Sequence, residues 1–148
     1  MKGFKFRLQS VLDARQKKLE DCQLGFAKAQ NKLHCENLVM ANIVKALDET
    51  NLSLEEVLKA GNIDNTIILI HQNYIFTLKE NIKKQKAIIE QAEKELEEKN
   101  QLMLEALKAK KVMEKLKEKA LDEFKENINR HEMLLIDEIA TGRYTKQG

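Results

Sequence analysis

The sequence predicts an all-α chain in which two long helices fold back on each other as an antiparallel coiled-coil hairpin with a short tip helix, the second helix being the longer. Apolar residues recur every seven positions along two separate segments, Leu12, Leu19, Phe26, Leu33, Met40 and Leu47 in one and Ile68, Ile75, Ile82, Ile89, Leu96 and Met103 in the other. Such a repeat keeps one seam of a helix facing a partner helix. The only stretch that reads as a turn lies between the two segments. The 148-residue chain also has no proline, where average usage of roughly 5% would supply about seven, so nothing interrupts long helices.

Helix one is expected over about 4–49. Its stripe alternates by four and three, and the positions between the strong seam residues, Arg15, Cys22, Ala29 and Glu36, are small or polar. That pattern suits a narrow two-helix contact and leaves the oligomeric state open. The break is expected over about 50–65. Ser53 with Glu56 three residues on has the form of a capping box, and Gly61 stands where a helix would end, which makes LEEVLKA a short tip helix or, alternatively, a frayed turn in a mobile loop. Asp64 or Asn65 then caps helix two.

Helix two is expected over about 66–140, a length of roughly 110 Å at 1.5 Å per residue, with Gly142 ending it and a short tail at 141–148. Its first stripe has the 3.5-residue period of a left-handed supercoil. Beyond residue 110 the pattern reads Met113, Leu116, Ala120, Phe124, Ile128, His131, Leu135, Ile139, averaging about 3.7, which predicts local unwinding. With the tip centred near residue 57, Leu8 would meet Ala106, and Arg15, Lys17 and Lys18 would face the acidic run from Glu90 to Glu98. Helix one would then be exhausted near residue 110. About 40 Å of helix two, from Val112 to Ile139, would overhang with an apolar stripe in need of cover, unless the tip lies elsewhere and shortens it.

Charge and composition narrow the function. With 34% charged and 5% aromatic residues, no Trp and a mean hydropathy of −0.51, the apolar residues suffice for a seam and not for a thick core. A formal charge of +2 and a pI near 8.4 fall short of the basic balance above about 9 typical of nucleic-acid-binding domains. No apolar run reaches the ~18 residues of a membrane span, and MKGFKFRLQS lacks the apolar core of a secretion signal, so a cytosolic protein is expected. Cys22 and Cys35 lie about 20 Å apart on one helix, beyond disulfide reach, and are expected as reduced packing residues.

No phosphate loop, dinucleotide fingerprint or nucleophile elbow occurs, and the five glycines leave little material for a ligand-cradling loop. Catalytic, cofactor-binding and metal-ligating residues are therefore not expected. His34, His71 and His131 lie far apart in sequence, and the latter two fall on the helix-two stripe, where packing is their expected role. Lys108, Lys110, Lys111, Lys115, Lys117 and Lys119 form a basic cluster broken only by Glu114 and Glu118. It reads as a solvated face or as a docking site for an acidic surface. Aromatics are not interleaved with it, which argues against single-stranded nucleic acid.

FKFRLQSVLDAR at 4–15 and EMLLIDEIATGRY at 132–144 resemble the flagellar export protein FliJ family, which shows an aromatic-x-aromatic-x-Leu start with a later Arg and an acidic ending followed by Arg. YIFTLKENIKKQ at 74–85 and KKVMEKLKEKALDEF at 110–124 are similar to the family's second helix. The resemblance implies a non-enzymatic coiled coil like the central stalk of rotary ATP synthases. It would work in the cytoplasm, peripheral to the membrane at the flagellar basal body, within the type III export apparatus. The implied partners are the export ATPase FliI, the cytoplasmic domain of the export gate FlhA, and export chaperones.

On this resemblance the gate-contacting positions are Tyr74, Leu78, Asn81 and Gln85, with Val39 and Ile43 facing them from helix one. Asn81 and Gln85 depart from the small residue and histidine that can stand there. Leu78 can equally be a seam residue, and Tyr74, one residue off the stripe, is the better exposed anchor. The stalk likeness places Leu121, Phe124, Ile128, Leu135, Asp137 and Glu138 in or near the pore of the ATPase ring. The equivalent stalk of a virulence type III secretion system and a dimeric structural scaffold are the alternative readings.

Overall fold

The computed structural model describes residues 3–61 and 64–147, with backbone alone for 143–147. It contains two helices, α1 (Gln9–Lys59, 51 residues) and α2 (Asn65–Gln147, 83 residues), and no strand among the described residues. The all-α class and the longer second helix agree with the heptad reading. The chain divides into two compact units, Met1–Asp21 with Leu104–Gly148, and Cys22–Met103. Each draws on both helices.

In the Cys22–Met103 unit, α1 and α2 run antiparallel. Lys32 reaches Glu95 at 3.1 Å and Gln85 reaches Glu36, so later residues of one helix meet earlier residues of the other. Ala29, Leu78 and Ala92 are buried between them, and Ala92, at 2% exposure, leaves little room for a larger side chain. The turn follows the expected chemistry at both ends. Ala60 N–H donates to Glu56 O at 3.0 Å, and Gly61 then takes φ 75°, a left-handed conformation that glycine adopts without a Cβ clash. Asp64 caps α2, its carboxylate accepting from Thr66 N–H at 2.9 Å.

The separate tip helix expected at 50–65 is not present, because α1 continues unbroken to Lys59. The heptad explains this. Leu47, Thr50, Leu54 and Val57 prolong the half-buried stripe, and Thr50 turns its hydroxyl back onto Ala46 O at 2.7 Å instead of opening the helix. Ser53 lies inside the helix and caps nothing.

In the Met1–Asp21 and Leu104–Gly148 unit, Leu12, Leu19, Ala106 and Met113 are buried. Arg15 lies on the stripe read for helix one, but its guanidinium donates to Ala109 O at 2.9 Å and does not face the acidic run from Glu90 to Glu98 as expected. Helix one starts at Gln9 and not near Phe4; residues 4–8 lead into it through a turn, with Gln9 N–H on Phe6 O at 3.1 Å. Phe4 instead packs on Phe124, ring centroids 5.5 Å apart and tilted by 52°, a geometry worth about 0.5–1.5 kcal/mol beyond area burial.

That contact corrects the expected register. Arg15 with Ala109 and Phe4 with Phe124 in this unit, and Lys32 with Glu95 in the other, are all later pairings than a reversal at 57 allows, and the reversal falls between Lys59 and Asn65. Helix two therefore has a partner as far as Phe124, and the overhang expected from Val112 is much shorter. The expected lengthening of the period is also absent from the burial pattern. Lys110, Lys117 and Phe124 keep the seven-residue step beside Ala106, Met113 and Ala120, while Leu116 is 44% exposed. A lysine stem can fill a seam position while its ammonium reaches water. Neither does Gly142 end α2, which continues to Gln147; a glycine in a helix costs about 1 kcal/mol against alanine but does not stop it alone. Cys22 and Cys35 are free thiols, but Cys35 is exposed and packs no seam.

Candidate partner-binding surfaces

The four positions expected at the export gate separate into two kinds. Leu78 and Gln85 are 6% and 5% exposed and face α1, whereas Tyr74 is 49% exposed and Asn81 is open to solvent. A helix buries every third and fourth residue against its partner, so Leu78 and Gln85, seven apart on the seam, are committed to packing. As surface contacts they are corrected to seam residues. Val39 is 43% exposed and Ile43 half-buried.

Gln85 is a buried polar group inside an apolar seam. Its amide nitrogen donates to the Glu36 carboxylate at 2.6 Å and to Glu36 O at 2.9 Å. No buried side-chain nitrogen or oxygen among the described residues lacks a partner. A polar residue satisfied only in one alignment fixes register at a cost in stability. We expect Gln85→Ala to lower unfolding free energy by about 1–3 kcal/mol, because the acceptors lose their donor, while Glu80→Ala, which breaks the surface pair with Lys83, changes it by less than about 0.5 kcal/mol. Urea denaturation of the two variants checks this.

Tyr74 borders a shallow groove of about 380 Å³ lined by Ala46, Glu49, Thr50, Ser53, Ile70 and His71. Ile67, Ile70 and Tyr74, spaced by three and four, form an exposed apolar row along α2 with exposures of 41%, 62% and 49%. The His71 Nδ1 lies 2.9 Å from Ile67 O; donating there leaves Nε2 as the acceptor. Elsewhere in this unit Lys32 holds the Glu95 carboxyl below the usual carboxylate range through their hydrogen bond and charge. Ile70 was missed in the sequence, although it lies one turn from Tyr74 and off the seven-residue stripe.

The second candidate surface is in the other unit. Leu121, Phe124 and Ile128 are half-buried, and Phe124 is covered on one side by Phe4, so these are less available than an overhang implied. A groove of about 750 Å³ lies beside that ring pair, lined by Gly3, Lys5, Ala120, Glu123 and Asn127. From residue 131 to 142 every side chain is exposed, His131 included. Leu135 and Ile139, at 46% and 56%, continue the face of Ile128 at helical spacing. Glu138 edges that face. Asp137, nine residues or two and a half turns from Ile128, points the opposite way.

Met133, Leu134 and Ile136 are also exposed, at 67%, 62% and 64%, making this stretch apolar around most of its circumference. Only Asp137 and Glu138 interrupt this exposed apolar surface between Met133 and Ile139, with Glu132 just before it, which makes it a candidate for a partner contact. Its signal in the sequence was the run MLLI itself, which a single-stripe reading divides. No group of three His, Cys, Asp or Glu among the described residues could hold a metal ion, and no helix among them is long and apolar enough to cross a membrane.

A model of the flagellar FliJ protein family matches residues 4–148. Among solved structures, one from Chlamydia trachomatis described as a YscO homolog superposes with a TM-score of 0.70 at 18% identity, covering 99% of both chains. That likeness shows a shared fold. No curated protein matches the chain. Matched from Phe4 to its last residue, the chain belongs to the flagellar FliJ protein family.

Proposed function

We propose that this chain is a non-enzymatic stalk of the flagellar type III protein export apparatus, promoting assembly of the export ATPase ring and linking it to the export gate and its chaperones. The observation that carries this reading is the pair of exposed apolar surfaces on α2, one near its start around Ile70 and Tyr74, the other at Met133–Ile139, on a helix otherwise occupied with its own partner. One continuous helix that carries two partner surfaces links their partners and needs no chemistry of its own. Membership of the FliJ family supports the export setting, and the shared fold with a YscO homolog fits a stalk. The partners are the ATPase FliI at the second surface and the FlhA cytoplasmic domain at the first, on the cytoplasmic side of the basal body.

Tyr74 and Asn81 remain as gate contacts, joined by Ile70. Tyr74→Ala is expected to weaken binding to the purified FlhA cytoplasmic domain at least about tenfold, the effect of one aromatic anchor, without moving the unfolding midpoint. Calorimetric titration reads the affinity. Unchanged affinity in a Tyr74→Ala, Ile70→Ala double variant would remove the gate from this surface. A virulence-system stalk would bind the injectisome counterparts instead, and a plain scaffold would bind neither.

A further inference from the structure

The basic cluster of α2 is not one surface. Lys110 and Lys117 are half-buried at the seam, and Lys110 pairs with Glu114 at 3.3 Å. Lys108, Lys115 and Lys119 are exposed, make no ion pair among the described residues, and lie within about 60° of Val112 around α2. The contact of Arg15 with Ala109 O fixes what stands beside them in the same unit. Val11 and Lys18, four residues before Arg15 and three after, share its side of α1, while Val112 and Leu116, three and seven residues after Ala109, share its side of α2. With Phe4 on Phe124 and Arg15 on Ala109 the helices here run antiparallel, so Val11 comes beside Leu116 and Lys18 toward Lys108. The result is a face with Val11, Val112 and Leu116 at its centre, exposed by 36%, 54% and 44%, and four lysines around them. The acids of the same span point away. Asp13 is about 160° from Val11, and Glu114 and Glu118 are at least about 120° from Val112 and Leu116. Glu105 and Glu123, one turn beyond Lys108 and Lys119, bound the face.

We propose that this face docks on an anionic lipid surface, with Lys18, Lys108, Lys115 and Lys119 among the headgroups and the Val11, Val112 and Leu116 side chains at the acyl boundary. The residue types favour a membrane over a shaped acidic partner. Lysine is a compact, hydrated point charge on a flexible stem, which suits charge spread over a bilayer, whereas bidentate recognition of a single carboxylate or phosphate uses arginine. Arg15, the arginine on this side, is committed to Ala109 O. Lysine stems also let the ammonium groups stay in water while the apolar side chains between them are lowered. Docking of this kind lies in the plane of the interface and needs no helix that crosses the bilayer. Each lysine near an anionic leaflet adds to the attraction, which salt screens within a Debye length, so the association is weak and salt-sensitive. The face is separate from Met133–Ile139, and the proposal goes beyond the stalk reading without depending on it.

Co-sedimentation of the full chain with vesicles tests it. At low salt the chain is expected to bind vesicles of mixed phosphatidylglycerol and phosphatidylcholine at least about tenfold more tightly than phosphatidylcholine alone, and to be released at about 500 mM salt. Lys108→Glu, Lys115→Glu and Lys119→Glu together should lower that binding at least about tenfold. Lys28→Glu, Lys45→Glu and Lys94→Glu, which change the net charge equally at exposed lysines of the other unit, should leave it within about twofold. The chain has no Trp, so Val112→Trp supplies a single reporter whose emission should shift to the blue on anionic vesicles, whereas Leu24→Trp, also at an exposed position, should not shift. Equal binding to both vesicles, an equal loss in the two triple variants, or no shift at Val112→Trp would each overturn the proposal. An acidic protein as the true partner would leave the unaltered chain in the supernatant with either vesicle, which overturns it as well. The unaltered chain gives this result even where a triple variant folds poorly.

Discussion

Replacing Leu19 by Asp should unfold or grossly destabilise the Met1–Asp21 and Leu104–Gly148 unit, with a loss of more than about 3 kcal/mol. Leu19 is 4% exposed, and it shares this unit with buried Leu12, Ala106 and Met113. A carboxylate there is cut off from water, and the nearest cation on the seam, Arg15 one turn earlier, is already donating to Ala109 O. Leu19→Ala, which removes the same contacts without burying a charge, should cost about 2–4 kcal/mol. Leu24→Asp serves as the comparison. Leu24 is 62% exposed, so its replacement should stay within about 0.5 kcal/mol. Since small proteins are stable by only about 5–15 kcal/mol, the difference is visible in a single urea titration followed by circular dichroism. Equal midpoints for Leu19→Asp and Leu24→Asp would mean that the helices do not pack through this seam.

Leu135→Asp combined with Ile139→Asp should abolish co-assembly with the export ATPase while leaving the fold intact. Both side chains are exposed, at 46% and 56%, so neither substitution removes a packing contact. They lie on the face that continues from Ile128, and two carboxylates placed there would have to be desolvated by any partner that covers it. Phe124 is a poorer probe, because Phe124→Asp also breaks the ring contact with Phe4 and confuses folding with binding. Asp137→Ala, on the opposite face, should have a much smaller effect. Co-purification of the double variant with the ATPase at wild-type yield would remove this surface from the assembly.

Most of the fold was legible because a heptad states its own geometry. The half-buried residues of α1 follow the four-three alternation read from Leu12 onward, including the polar members Arg15 and Glu36. Gly61 and Asp64 announced the turn, since a left-handed C-cap and an N-cap each require a particular residue type. What misleads is a capping signature inside a helix: Ser53 with Glu56 reads as the start of a tip helix although Thr50, Leu54 and Val57 keep the seam, and moving the turn beyond residue 57 shifts the facing pairs.

The candidate surfaces were less legible, for a physical reason. Whether Leu78 or Tyr74 faces the partner helix depends on a rotation of 40°, less than half the step between successive residues. Burial resolves it. Leu116 and Lys117 show the same limit, because an apolar residue was taken for the seam where a lysine stem fills it and leaves Leu116 outside.

The stalk account is tested most directly by the steady-state hydrolysis rate and hexamer fraction of the cognate flagellar ATPase, measured with and without this protein. A ring-centred stalk predicts that both rise together, and that the Leu135→Asp, Ile139→Asp variant raises neither. No change in rate or hexamer fraction with the unaltered protein, at concentrations where it is folded, would contradict the account.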